Sequence, residues 1–178
     1  MDEMIYSPLT AENFGPRSLD GFVRRQHVRE CWRRTDGALT LLPVEYIEDW
    51  TLEERREAAA QVLQAVENGG AAFGAFSGGE VAGFAAVAGE RLGSNKQYAD
   101  LSLFYVSEPF RGRGIGGALF RMACAAARKM GAEKLYISAH SAREVMAVYW
   151  ALGCVEAEEP DPHHAAAEPC DVQLEFRL

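Results

Sequence analysis

The sequence predicts an α/β domain in which helices flank one central sheet, with the order βααβββαβαββ. Two observations support this fold class. Apolar runs over residues 71–76 and 81–88 flank a Ser-Gly-Gly-Glu turn, a pattern typical of a β-hairpin. An Ala-rich segment over residues 116–130 has its apolar positions on one helical stripe, and the short apolar run over residues 135–139 that follows indicates a buried strand.

The N-terminal part of the chain is predicted to hold one strand and two helices. Residues 4–10 have the pattern of a short first strand. Residues 19–34 show a helix-like but polar-rich spacing, and residues 51–68 form a clearer helix that ends at Gly69 and Gly70. Two helices are therefore expected before the main sheet.

The C-terminal half continues with a strand over residues 98–106 and adds a further helix after the buried strand. Ser141 opens that helix and Glu144 follows three residues later, a capping box in which each side chain satisfies a free amide at the helix start. Gly153 ends the helix. Two last strands are expected at residues 154–157 and 172–176, joined by an acidic, Pro-rich loop.

Composition limits the classes of function. The chain has 178 residues, of which 48% are hydrophobic and 25% charged, as in an ordinary globular protein, and we expect residues 1–178 to form a single domain. No run approaches the ~18 apolar residues of a membrane span, and the N-terminus lacks a secretory signal pattern. We therefore predict a cytoplasmic protein without a membrane partner. The net charge of -8 opposes binding to phosphate backbones, so no nucleic-acid partner is expected.

One cluster of basic residues contrasts with the negative net charge of the chain. If residues 19–34 are helical, most of its side chains lie on one side of the helix, and a solvated face balanced by acidic neighbours is favoured over a nucleic-acid surface. The cluster consists of Arg24, Arg25, Arg29, Arg33 and Arg34.

The spacing of cysteine and histidine predicts neither disulfides nor a metal site. The four cysteines form no C-x-x-C pair, and we interpret all four as reduced thiols. His163 and His164 lie near Asp161 but lack a third ligand at a recognised spacing, so we predict no metal. The cysteines are Cys31, Cys124, Cys154 and Cys170.

The most informative segment lies between the strand that ends at Val106 and the helix that begins near Gly116. Its sequence over residues 111–117 is Arg-Gly-Arg-Gly-Ile-Gly-Gly. Glycines let the backbone approach a ligand closely, and the free amides at a helix start attract anionic oxygens. The guanidinium groups of Arg111 and Arg113 suit phosphate, and a diphosphate above all. The segment therefore predicts an anion cradle.

Three types of phosphate loop compete for this segment. Gly112, Gly114 and Gly117 spell G-x-G-x-x-G, but a dinucleotide fold needs an acidic residue at the end of the next strand. Here that strand ends at His140 and Ser141. A nucleotide P-loop requires Gly-Lys-Ser or Gly-Lys-Thr, whereas Ala-Leu follows the last glycine.

The third type fits, because the segment resembles the pyrophosphate loop of the GCN5-related N-acetyltransferase (GNAT) superfamily. That pattern is Arg or Gln, two residues, Gly, one residue, and Gly or Ala, which here falls on Arg111, Gly114 and Gly116. The resemblance covers residues 70–153, about half of the chain. It implies a mixed, mostly antiparallel sheet of about six to seven strands flanked by helices, and acetyl-CoA as the co-substrate.

The resemblance also implies the position of the cofactor and of a general acid. In the family the strand before the loop pairs with the pantetheine arm. A Tyr, three residues, Gly spacing matches Tyr149 and Gly153, which makes Tyr149 the candidate donor of a proton to the thiolate leaving group. Ser141 stands where the family often has an asparagine, and either contacts the cofactor or caps its helix. The implied cofactor residues are Phe104, Tyr105, Val106, Arg111, Gly112, Arg113, Gly114, Ile115, Gly116, Gly117 and Ser141.

The general base is less clearly marked. An amine is protonated at neutral pH, so a base must remove a proton directly or through water. Asp100 lies on the strand from which the family commonly recruits this base, and is the first candidate. Glu45, Glu48 and Asp49 are alternatives in the region where the family builds substrate pockets.

The acceptor site is expected between residues 11–69 and the loop 157–170, the segments that vary most in the family. Acidic residues there would suit a cationic acceptor, and Trp32 and Trp50 could stack on it. His140 ends a strand, where α/β folds place ligands, so it is a candidate to contact the substrate or relay a proton.

The leading hypothesis is an N-acetyltransferase that moves the acetyl group of acetyl-CoA to a primary amine of a small molecule or a peptide, by direct attack in a ternary complex. The alternative is a non-catalytic acyl-CoA sensor with the same loop but no base and no acceptor pocket. The predicted sheet edge and late hairpin are compatible with a homodimer.

Overall fold

The structure, a computed structural model, describes residues 2–178 as a large sheet, a small sheet and four α-helices. The strands are β1 (Ile5–Pro8), β2 (Gln26–Thr35), β3 (Ala38–Glu48), β4 (Ala71–Ser77), β5 (Glu80–Leu92), β6 (Tyr98–Val106), β7 (Lys134–Ala139), β8 (Val155–Glu156) and β9 (Val172–Arg177). The helices are α1 (Leu52–Glu67), α2 (Ile115–Lys129), α3 (Arg143–Leu152) and α4 (Pro162–Ala167), and a 3-10 turn covers Glu108–Phe110.

The large sheet has seven strands in the order β1-β4-β5-β6-β7-β9-β8. Its β6–β7 pair is parallel, and the remaining pairs are antiparallel. The predicted α/β class and the mixed, mostly antiparallel sheet are thereby confirmed. The predicted hairpin is also present, since β4 and β5 pair up to Ser77 and Glu80, with one register shift between Ala75 and Phe76.

The parallel strands β6 and β7 separate after a short ladder. They pair only at Tyr98–Lys134, Ala99–Leu135 and Asp100–Tyr136, although both strands continue beyond that point. Within the described part of the chain, residues 101–106 of β6 pair with β5 on one side and with no strand on the other. A wedge therefore opens inside the sheet, with one free edge of β6 facing it.

The helix predicted over residues 19–34 is wrong. Most of this segment is strand β2, which pairs with β3 in a separate two-stranded sheet. The register shifts between Val28 and Glu30, where β3 has one residue more than β2. On β2 itself, Val28 and Cys31 are both fully buried although three positions separate them. That spacing imitates a helical stripe, which explains the error. The element order therefore begins with three strands before α1.

Both faces of the large sheet are covered. On one face α2 contributes Leu119 and Ala123 to the larger core cluster, which also includes Ile137. On the other face α1 contributes Ala59 and Val62 to a second cluster. None of the helices in residues 2–178 combines the length and the apolar composition that a membrane-spanning helix requires. The two cores fix the sheet from both sides and leave the wedge between β6 and β7 as an opening.

Candidate active site

A cleft of about 940 Å³ opens at the wedge between β6 and β7. Its floor is the second half of β6, with Phe104, Tyr105 and Val106. The start of α2, the middle of α3, the segment before β2 and helix α4 form its walls. The cleft therefore joins the predicted cofactor loop to residues from every region that was expected to bind an acceptor.

The glycine loop has a backbone that only glycine adopts easily. Gly112 and Gly114 have φ values of 77° and 78°, in the left-handed region. Gly114 is the N-cap of α2 and provides no capping side chain, and the first helical bond is donated by the amide of Ala118 to Gly114. The amides of Ile115 and Gly116, in the first turn of α2, thus remain free for an anion.

The face of this loop is open. A Cβ placed on Gly112 or Gly114 would meet no atom within 4 Å, and one on Gly116 would make only ordinary contacts with Phe104 and Val106. These glycines are therefore not required by packing inside the protein. They leave the main chain accessible from the cleft, which fits a phosphate group bound by backbone amides.

The two arginines of the loop lie in different surroundings. Arg111 lines the cleft, where its Nε donates to the carbonyl oxygen of Val106 at 3.0 Å and its Nη1 to that of Arg25 at 2.7 Å. Burial, together with the nearby charge of Arg24, lowers the pKa of Arg111. Arg113 does not line the cleft, and its Nη2 donates to the carbonyl oxygen of Pro109 at 3.2 Å.

Tyr149 lies on the inner face of α3 and lines the cleft with only 7% of its surface exposed. Its ring centroid lies 5.9 Å from that of Phe104 on β6. Burial raises the pKa of the Tyr149 phenol well above its ordinary value. The hydroxyl therefore stays protonated throughout the neutral range, as a proton donor must.

Asp100 lies at the base of the wedge, in the last residue pair that β6 makes with β7. It is 7% exposed, and its Oδ2 lies 2.8 Å from Nε2 of His164 on α4. The hydrogen bond with Asp100 raises the pKa of His164. The imidazole also stacks on the ring of Tyr136, with centroids 5.6 Å apart.

A short cap holds α4 over the cleft. The Oδ2 of Asp161 accepts a hydrogen bond from the amide of His164 at 3.0 Å, and the amide of Asp161 donates to the hydroxyl of Tyr136 at 2.8 Å. The insertion between β8 and β9 is thus fastened to β7, and through His164 to β6.

The part of the cleft where an acceptor was expected carries negative charge. Glu48, Glu168 and Asp171 line it, and burial raises the pKa of Asp171. His140 lies among them, with its Nε2 3.3 Å from Oε2 of Glu48. Trp50 also lines the cleft, with its ring centroid 4.7 Å from that of Tyr105. Among the alternative bases, Glu48 lines the cleft, whereas Glu45 and Asp49 do not.

Besides Arg113, two more of the predicted cofactor and substrate residues lie outside the cleft. Ser141 is 3% exposed, and its Oγ accepts a hydrogen bond from Nη1 of Arg33 at 2.5 Å. The predicted capping box is wrong, because α3 has Ala142 as its N-cap and no side chain caps it. Trp32 faces a separate cavity of about 580 Å³, since strand alternation directs it away from the core position of Cys31.

Two residues that line the cleft, Arg24 and His164, were not predicted from the sequence as residues of this site. Arg24 was interpreted as part of a solvated face, yet it is 7% exposed and its guanidinium lies 5.2 Å from the ring centroid of Tyr105. Its Nε is buried and has no hydrogen-bond partner within residues 2–178. His164 was considered only as a metal ligand. Neither position has a sequence signal, because both contacts are made over long sequence distances.

In the part of the chain that the structure describes, no group of three or more His, Cys, Asp or Glu side chains is arranged to hold a metal ion.

The chain matches one protein-family profile and is similar to several solved structures. The sequence profile of the acetyltransferase (GNAT) family matches residues 35–167. No curated protein matches the chain. Among solved structures, nourseothricin acetyltransferase is similar with a TM-score of 0.72 at 17% identity, covering 98% of each chain.

Two further similar structures contain a cofactor. A putative streptothricin acetyltransferase from Bacillus anthracis in complex with acetyl coenzyme A has a TM-score of 0.72 at 14% identity, covering 99% of each chain. The PaiA N-acetyltransferase from Thermoplasma acidophilum in complex with coenzyme A has a TM-score of 0.62 at 16% identity, again covering 99% of each chain. At these identities the similarity establishes the fold.

Proposed function

Because the chain belongs to the GNAT acetyltransferase family, we propose that it transfers the acetyl group of acetyl-CoA to a primary amine of a small molecule or a peptide, by direct attack in a ternary complex. One observation supports this more than any other. A single cleft contains the open glycine loop, the protonated phenol of Tyr149 and the Asp100–His164 pair. An acyl transfer to an amine needs these three parts: a binding site for the cofactor, an acid and a base.

The residues of this chain fit the cofactor in two places. The free amides at the start of α2 would hold its pyrophosphate, with Arg111 completing the loop. The free edge of β6 at residues 101–106 would pair with the amides of its pantetheine arm, as an added strand does. Acetyl-CoA supplies an activated thioester to the site when it is bound.

Tyr149 is proposed as the general acid. When the carbon–sulfur bond of the thioester breaks, the sulfur needs a proton, and a buried phenol that remains protonated is able to donate one. Asp100 is proposed to supply the negative charge on the side of the cleft that accepts the proton of the amine. Its position at the base of the wedge places it between the floor of the cleft and α4.

The charge of the acceptor side favours a cationic amine. Glu48, Glu168 and Asp171 give this wall a negative potential, which attracts an ammonium group and concentrates it in the cleft. Trp50 and Tyr105 present aromatic faces beside these charges, a combination that suits cation–π contact. A polycationic acceptor is therefore the best first test. The similarity to the nourseothricin and streptothricin acetyltransferase structures adds nourseothricin to the compounds to be tested.

Calorimetric titration with acetyl-CoA tests the first half of the proposal. Gly114→Glu would place a carboxylate in the cradle and should abolish binding. Gly37→Glu is the matched control, because Gly37 has a similar φ of 82° and equally open space but lies in the β2–β3 turn. Loss of binding in both variants, or in neither, would contradict the assigned cradle.

Thiol release from acetyl-CoA tests the second half, with spermidine, kanamycin, nourseothricin and a lysine-containing peptide as acceptors. Release that depends on an acceptor and yields the acetylated amine by mass spectrometry is expected. Tight binding of acetyl-CoA without turnover of any of these amines would instead favour the acyl-CoA sensor.

A further inference from the structure

Asp100 and His164 form the proton-accepting pair of the cleft, and their side chains differ in exposure. Asp100 is the more enclosed, with 9% of its side chain exposed, whereas the side chain of His164 is 27% exposed. The Nε2 of His164 is bound to Asp100, and its Nδ1 forms no hydrogen bond within residues 2–178. Both residues line the cleft. The imidazole thus has a free nitrogen and access to the cleft, while one oxygen of the carboxylate is bound to it.

We propose that His164 is the general base of the reaction, accepting the proton of the acceptor amine at Nδ1, and that Asp100 is the positioning residue that fixes its ring. The inference rests on the proposed acetyl transfer and assigns a role to a residue of the insertion between β8 and β9. Helix α4 would therefore contribute to the chemistry as well as form the wall of the acceptor site.

The chemistry of the pair favours the imidazole. An acid–base group works best when its pKa lies near the operating pH. An ordinary carboxylate has a pKa near 4, so it accepts a proton from an ammonium far less readily than imidazole does. A carboxylate bound to one ring nitrogen also fixes the tautomer, leaving the other nitrogen as a proton acceptor, and it stabilises the imidazolium that forms.

Titratable groups from every neighbouring element surround the imidazole. The side chains that face it are Asp100 on β6, Tyr136 on β7, Asp161 at the N-cap of α4, His163 on α4 and Asp171 before β9. The three carboxylates all act in the direction that raises the pKa of His164, the hydrogen bond with Asp100 most of all. Burial lowers the pKa of His164 but offsets only part of this increase, so the imidazole remains a stronger base than a free histidine.

The protons of the reaction balance as follows. The acceptor ammonium first gives one proton to Nδ1 of His164, which leaves a neutral amine and an imidazolium bound to Asp100. The amine nitrogen then forms a bond with the thioester carbon, and the carbon–sulfur bond breaks. The sulfur takes the proton of the Tyr149 hydroxyl, and the second proton lost by the nitrogen restores the phenol. His164 returns its proton to solvent, so the cycle releases one proton and one free thiol.

The test combines a titration with a pH profile. In the NMR spectrum of the intact protein, the ring signal that is missing in His164→Asn reports the titration of His164. Its pKa should lie above the ordinary value of about 6.5, and Asp100→Asn should lower it because the adjacent carboxylate is lost. His163→Asn is the matched control, since His163 is the exposed neighbour outside the cleft and its loss should leave that titration nearly unchanged.

In the thiol-release assay, kcat/KM of the wild type should fall with decreasing pH through the pKa of His164, because only the neutral imidazole accepts a proton. His164→Asn should lower kcat/KM at pH 8 by about 10²–10⁴-fold and remove this limb, with unchanged affinity for acetyl-CoA. Asp100→Asn should keep the limb but move it to lower pH.

Three outcomes would overturn the inference. The first is a His164 signal that titrates no higher than that of a free histidine. The second is a His164→Asn variant with at least a third of wild-type kcat/KM and an intact acidic limb, which would return the role to Asp100. The third is a wild type that binds acetyl-CoA but acetylates none of the amines, which would contradict the proposed function itself and is recognised without any variant.

Discussion

The Nε of Arg111 donates to the main-chain oxygen of Val106, 3.0 Å away, and so ties the glycine loop back to the end of β6. Lysine would keep the charge but not the planar fork that reaches both this oxygen and that of Arg25. We expect Arg111→Lys to weaken acetyl-CoA binding about tenfold, or about 1.4 kcal/mol, as measured by calorimetry. Arg113→Lys, on the outside of the loop, should change the affinity less than threefold. Equal affinities in the two variants would show that Arg111 does not position the loop.

Removal of the Tyr149 hydroxyl should affect catalysis and not binding. Tyr149→Phe keeps the ring against Phe104 and should lower kcat by about 10²–10⁴-fold, with an unchanged Kd for acetyl-CoA. The control is Tyr6→Phe, which removes the hydroxyl of an exposed tyrosine on the edge strand β1. A Tyr149→Phe variant with wild-type kcat would remove the phenol from the mechanism.

The raised pKa of Tyr149 also predicts part of the pH profile. Since the folded pKa lies above the ordinary value of about 10, the phenol keeps its proton over the whole range from pH 6 to 10. We therefore expect no loss of kcat from ionisation of Tyr149 up to pH 10. A basic limb near pH 8 that disappears in Tyr149→Phe would contradict this assignment.

Stability should depend on pH through Glu175, a buried residue on β9. Burial acts to raise its pKa, but hydrogen bonds from Lys134 and Tyr98 outweigh burial and hold the pKa below the ordinary value. The stabilisation is present above the unfolded pKa of about 4.3 and is lost as the pH falls through the lower folded pKa.

Two glutamates share Lys134 and make a matched pair for this test. Glu175→Gln should lower the free energy of unfolding at pH 7 by about 2 kcal/mol, because it replaces the buried acceptor. Glu158→Gln should cost less than about 0.5 kcal/mol, because the Glu158 side chain is 80% exposed. Urea unfolding at pH 7 and pH 4 measures both. A smaller loss in Glu175→Gln than in Glu158→Gln would refute the assigned network.

The thiols should differ in reactivity. Cys31, Cys124 and Cys154 are buried and Cys170 is exposed. Burial raises the pKa of Cys124, and that of Cys154 to about 12, so neither forms thiolate at neutral pH. Ellman's reagent should therefore titrate one thiol rapidly in the native protein and four in urea. Cys170→Ser should remove the rapid phase. A rapid phase that persists in Cys170→Ser would show that a buried thiol is accessible.

The sequence predicted the parts of the site that are contiguous in the chain. The loop over residues 111–117 and the Tyr149–Gly153 spacing could be recognised because the ligand-facing groups and the turns that place them are neighbours in sequence. The mixed sheet followed from the same resemblance. The hairpin of β4 and β5 could be predicted because its turn chemistry and alternation agree.

Other features depended on long-range contacts or on local irregularity. Val28 and Cys31 on β2 are buried three positions apart, which is a helix-like spacing. The side chain of Ser141, which was expected to cap α3, instead accepts a hydrogen bond from Arg33 across 108 residues. His164 meets Asp100 across 64 residues, through an insertion with no periodicity of its own. No local pattern records such contacts, because they depend on how the sheet is assembled.

The wedge between β6 and β7 has a consequence for solubility. Residues 101–106 have the sequence Leu-Ser-Leu-Phe-Tyr-Val, an uncharged run without proline and rich in strand-forming side chains, and one of their edges is unpaired inside the sheet. Such a run with a free edge is a template for a strand of another molecule. A bound pantetheine arm would cover that edge. We therefore expect acetyl-CoA to slow aggregation of the protein. When the acyl donor is scarce, the edge of residues 101–106 would be uncovered and could pair with a strand of another molecule.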